Sequence, residues 1–92
     1  MTKSEDSVIL DALKKVQGLQ PELLKKGYSA HLDASIHNSI GEDGTHLSFI
    51  LTIFEGNNII KSFDFSAYDT PEMIEATTAM AVAFTKSLEA NV

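Results

Sequence analysis

Tyr28-Ser29-Ala30-His31-Leu32-Asp33-Ala34-Ser35-Ile36-His37-Asn38-Ser39-Ile40 is the stretch that decides the fold. Tyr28, Ala30, Leu32, Ala34, Ile36, Asn38 and Ile40 take one parity, and Ser29, His31, Asp33, Ser35, His37 and Ser39 take the other. Successive side chains of a strand point to opposite faces, so the alternation predicts a β-strand with one dry and one wet face. A strand of that kind belongs to a one-sided sheet. Helices must cover its apolar face, and the polar face stays open.

Outward from this strand, Gly41-Glu42-Asp43-Gly44 has the composition of a turn. Thr45 to Glu55, rich in β-branched and aromatic residues, reads as a second strand, and Ile59 to about Ser66 as a third. Gly56-Asn57-Asn58 joins those two. Before the first strand, Ile9, Ala12, Leu13 and Val16 recur at helical spacing, predicting a helix from about Asp6 or Ser7 to Gln17. Gly18 weakens its end. Pro21 suits the first position of a further short turn of helix, which Lys25, Lys26 and Gly27 stop. The pattern is compatible with one kinked helix or with two pieces. After the third strand, Thr70-Pro71-Glu72 opens a last helix running to Leu88. Its inner face is expected to carry Met73, Ile74, Thr77, Met80, Ala81, Phe84 and Leu88. The fold class is therefore α+β: a two-layer sandwich in α-β-β-β-α order over residues 1–92 as one domain. Its three strands form an antiparallel meander, and both helices take one face.

Parity also predicts register. A first turn closed over Gly41–Gly44 sets Ile40 opposite Thr45 and His31 opposite Phe54, with His37 and His46 diagonal to each other. A three-residue second turn sets Leu51 and Phe49 against Phe63 and Phe65, and Phe54 against Ile60. A two-residue turn would turn both phenylalanines to the open face and bury Ser62 and Asp64, at a high desolvation cost. Lys61 then points inward near a sheet edge, a device that discourages strand addition.

Composition narrows the function classes. The chain has 92 residues, seven lysines, no arginine, thirteen acidic residues and a net charge of −6. Such a charge repels nucleic acid and anionic membranes, and arginine's planar fork for phosphate and guanine is missing. The plainer consequence of the acidity is solubility. No cysteine is present. Disulfides, thiolate chemistry and cysteine-bound zinc are thereby excluded, and a cytoplasmic address fits. No apolar run approaches the ~20 residues of a membrane span.

All three histidines fall on the open face. His37, His46 and Asp43 are ligand types for a divalent metal, although solvated surface histidines account for the same pattern. His31, Asp33 and Ser35 have the residue types of a catalytic triad. At alternate positions of one strand they stand ~6.6–7 Å apart, beyond hydrogen-bond reach. No catalytic residue and no cofactor is expected. Ile50, Phe54 and Ile60, with His31 and Ser35 beside them, form the candidate partner-binding surface, against the plainer reading that scattered exposed apolar residues are ordinary.

The α-β-β-β-α order resembles that of the double-stranded RNA-binding domain over nearly the whole chain. Gly41-Glu42-Asp43-Gly44-Thr45-His46 occupies the place of that family's Gly-Pro-x-His loop, with His46 in a comparable position. The resemblance implies a phosphate-gripping basic cluster at the start of the last helix. Here that start is Thr70-Pro71-Glu72-Met73-Ile74-Glu75, which is acidic, so RNA binding does not carry over. The expectation is a small non-enzymatic cytoplasmic module that binds another protein or forms a homodimer through its open face, without nucleic acid or membrane. Divalent-metal binding and nucleic-acid binding are the alternatives.

Overall fold

Pro21 decides how the chain begins. Lacking an N–H, it gives nothing to the carbonyl of Gln17, and its ring crowds that carbonyl. In the computed structural model, which describes residues 5–38, 45–66 and 68–90, helix α1 accordingly spans Glu5–Gln17 and a separate helix α2 spans Leu19–Lys25. Gly18 between them keeps helical dihedrals and donates to Lys14 O at 3.1 Å, so the break is local. Pro21 is the third residue of α2, not the first as the sequence suggests.

Helix α2 ends in a glycine-dependent lock. Gly27 has φ 92, its N–H donates to Leu24 O at 3.0 Å, and the next N–H, of Tyr28, reaches Leu23 O at 2.9 Å. These are the two bonds of a Schellman motif, and its apolar clasp is present because Tyr28 and Leu23 are both buried. The lock aims the chain into strand β1, Ser29–Asn38, which is followed by β2, Thr45–Glu55, and β3, Asn58–Ser66. Helix α3 spans Pro71–Ser87, with Thr70 Oγ1 accepting from the Met73 N–H at 3.2 Å as its cap. Lys26 reaches the far end of α3, where Nζ donates to Thr85 O at 2.8 Å. The same carbonyl accepts the Leu88 N–H at 3.3 Å, and a cation there meets the negative end of the helix dipole.

The sheet is antiparallel in the order β1-β2-β3. Phe49, Leu51 and Ile53 of β2, with Phe63 and Phe65 of β3, are buried in one cluster with Val8, Ile9 and Val16 of α1 and Ile74 and Ala81 of α3. Phe49 and Phe65 stack at 4.4 Å, and Phe63 meets Phe84 edge-on at 5.9 Å, which ties α3 to the sheet. The α+β, one-sided architecture read from the alternation is the one present.

Four further details differ from the sequence reading. The β1–β2 register is displaced by two residues: Asn38 faces Thr45, His37 faces His46 and Ser29, not His31, faces Phe54. An even displacement keeps every side chain on its expected face. Ser39, Ile40 and Gly41–Gly44 lie outside the described residues.

The β2–β3 turn has two residues, Gly56 and Asn57, with Glu55 facing Asn58 and φ positive at Gly56 alone. Glycine at the first corner with positive φ is the pattern of a type II′ hairpin. A register shift at Ile53/Phe54 then inserts Ile60 as a bulge and restores the expected pairing of Leu51 with Phe63 and Phe49 with Phe65. The short turn and the buried phenylalanines are thus reconciled by one extra residue. Phe54 faces Ile59, not Ile60.

The inner face of α3 is Ile74, Thr78, Ala81 and Thr85, while Met73 and Met80 are exposed. Thr78 and Thr85 can be buried because each hydroxyl donates to the carbonyl four residues back, at 2.7 and 2.9 Å. Finally, the dry parity of β1 is only partly covered. Ala30 and Leu32 are half-buried, but Ala34 is exposed and Ile36 is 69% exposed. Lys61 behaves as expected, with its stem level with Ile53 and its ammonium 5.6 Å from the Phe63 ring centroid.

Candidate functional site

The face opposite the helices carries alternate residues of all three strands. Among the described residues, no helix or strand lies across it. Its middle row is Asp33 of β1, Ile50 of β2 and Asp64 of β3, which are register partners across the sheet. Ile50 is 42% exposed, and the aspartates on either side are exposed. Neighbouring strands lie ~4.8 Å apart, so the row sets an apolar side chain between two carboxylates over roughly 10 Å. Ser35, Ser48 and Ser66 form the next row. A shallow hollow is lined by members of these two rows.

The next row towards the second hairpin is His31, Thr52 and Ser62, with Thr52 Oγ1 3.4 Å from Ser62 Oγ. It separates Ile50 from Phe54, which lies four residues further along β2, or ~13 Å. The proposed surface therefore has two apolar points rather than one patch. The second is Phe54, half-buried beside the exposed Ile59 and Ile60. Sequence reasoning missed Ile59 because it missed the bulge. The signal was there: Gly56 as first corner of a two-residue turn gives the wrong parity for Phe63 unless one residue is bulged. It placed Asp33 and Asp64 on the face without seeing that they bracket Ile50, because that follows from register rather than parity.

His31 and Ser35 stand on β1 in the same column as Asp33. All three keep the alternate spacing that separates them by ~6.6–7 Å, so no proton relay links them. His37 and His46 are direct register partners rather than diagonal neighbours. Their side chains and the whole of Asp43 lie outside the described residues. No group of three or more potential metal ligands occurs among the described residues.

The other concavity of note runs along the outside of the helix layer between α1 and α3. It is lined by small residues such as Ala12, Ala79 and Ala83, together with Asp11, Lys15, Glu75 and Lys86. No helix among the described residues is long and apolar enough to cross a membrane. Comparisons with protein-family models, with curated proteins and with solved structures each gave no match.

Proposed function

We propose that this protein is a small, non-enzymatic interaction module of the cytoplasm that holds a protein partner on its open sheet face. The observation that carries the reading is the uncovered row Asp33–Ile50–Asp64, an exposed apolar side chain between two carboxylates. A surface of that kind is complementary to an apolar side chain flanked by lysine or arginine. The described residues of the face include no lysine to offset the two aspartates. Stacking two identical faces about an axis through Ile50 would gather four carboxylates into one dry interface, which is costly. The face therefore suits a different, basic protein better than a second copy. The openness of the sheet and the separated His31, Asp33 and Ser35 support a binding role over catalysis. The absence of cysteine and the acidic balance suit a cytoplasmic protein.

The test is capture of partners from the source cell with wild type, Ile50→Asp, Phe54→Asp and Met80→Asp. Met80 is a control of comparable exposure on the helix side, at 56%. The reading requires a partner that is lost with the first two variants and kept with the third. Equal recovery by all four proteins overturns it.

Divalent-metal binding keeps a place as a second reading, on one observation: the register sets His37 directly against His46.

A further inference from the structure

The two edges of the sheet are built differently. The β3 edge is interrupted by the bulge at Ile60 and carries Lys61 on its dry parity. Both are devices that keep a second strand away. The β1 edge has neither. Its ten residues pair with β2 in one unbroken register, with no proline, lysine or bulge. Among the described residues only β2 is hydrogen-bonded to it in the sheet, so the outer backbone groups of β1 form an open ladder there.

The segment along that edge is complementary to itself. Ser29-Ala30-His31-Leu32-Asp33-Ala34-Ser35 reads the same in both directions, except that a histidine is exchanged for an aspartate. Run antiparallel against a second copy with Leu32 on the axis, serine meets serine, alanine meets alanine, and each His31 meets an Asp33. An imidazole thus faces a carboxylate on each side of Leu32, and no like charges are opposed.

The same register explains two exposed apolar residues. Leu24 on α2 is 73% exposed and Ile36 on β1 69%, more than any other large apolar residue described. Helix α2 packs on β1 beside its start, where Pro21, Leu24, Tyr28 and Ala30 border a hollow. With Leu32 on the axis, Ile36 of one copy is level with Tyr28 of the other, at the mouth of that hollow. Ile36 stays uncovered in a single chain because α2 covers only the first half of β1. A two-fold axis perpendicular to the sheet brings the second copy's α2 over the other half.

We propose that β1 is the seat of a two-fold homodimer, pairing with β1 of a second copy about Leu32 into a continuous six-stranded sheet, with each Ile36 seated against the other copy's Leu24 and Tyr28. An interface of this kind is isologous and closed, so it stops at two copies. Both helix layers lie on one side and both open faces on the other, so the dimer does not depend on what the open face binds.

Light scattering and sedimentation of the full chain give the mass, with 10.0 kDa for one copy. The wild type is expected as a dimer. Ile36→Asp and Leu24→Asp, both at exposed positions, should each weaken association by about tenfold or more. His31→Asp alone should weaken it as well, by opposing two carboxylates. The double variant His31→Asp with Asp33→His should restore it, which a merely structural effect of either substitution would not do. Because the chain has no cysteine, Leu32→Cys gives a separate readout: opposed residues fall within disulfide range, so mild oxidation should cross-link Leu32→Cys and leave Ala34→Cys single. A monomeric wild type, a dimer indifferent to Ile36→Asp and Leu24→Asp, failure of the exchange to rescue, or cross-linking of Ala34→Cys in preference to Leu32→Cys each overturn the proposal. Loss of partner capture on the open face leaves it intact.

Discussion

Truncating Phe65 and Phe54 separately measures which face of the sheet is dry. Phe65 is 1% exposed and stacks on Phe49 at 4.4 Å, whereas Phe54 is half-buried on the open face. Removing a fully buried phenylalanine costs about 3–5 kcal/mol in lost transfer energy and cavity. At roughly 0.05–0.15 kcal/mol per residue, a 92-residue chain has about 5–14 kcal/mol in total. Phe65→Ala therefore removes about a fifth of the stability or more. With about 4–8 °C lost per kcal/mol in a domain of this size, the midpoint should fall by at least ~12 °C. Phe54→Ala loses less transfer energy and leaves no enclosed cavity, so about 1–2 kcal/mol is expected. Thermal and urea unfolding followed by circular dichroism read both. Equal losses, or a larger loss for Phe54→Ala, would mean that the bulge at Ile60 does not set the parity described, and the open-face site would disappear with it.

Two further outcomes follow from the same geometry. Lys26→Met keeps the aliphatic stem but removes the charged donor from Thr85 O, so it should cost about 1–2 kcal/mol in urea unfolding, and a loss within error would show that the lysine does not hold the end of α3. If His37 and His46 share a divalent ion, zinc or nickel should raise the melting temperature of the wild type and not of His37→Ala, whereas no response in the wild type removes the metal reading.

Much of the fold was legible because it rests on local chemistry. The β1 alternation gave the one-sided sheet, Thr70-Pro71-Glu72 gave the start of α3, and Gly27 gave the end of α2, each from a constraint within a few residues. Errors arose where several elements had to agree. Met73 and Met80 read as core by hydrophobicity, yet the buried stripe runs through Thr78 and Thr85, because a threonine whose hydroxyl bonds its own helix can be buried. The candidate site was legible as a face but not as an arrangement. Parity put Asp33, Ile50 and Asp64 on one side of three strands; only the register put them in one row.

The sequence by itself determined which face of each strand turns to the helices, since a strand's period of two is written directly in the order of residues. Tertiary structure decided the pairing offsets, the bulge at Ile60 and how far the helices reach along the sheet. Those depend on loop lengths and on the packing of one layer against another, where a displacement by two residues leaves every local preference satisfied and only the global fit distinguishes the alternatives. That fit left Leu24 and Ile36 exposed beside an unguarded strand edge.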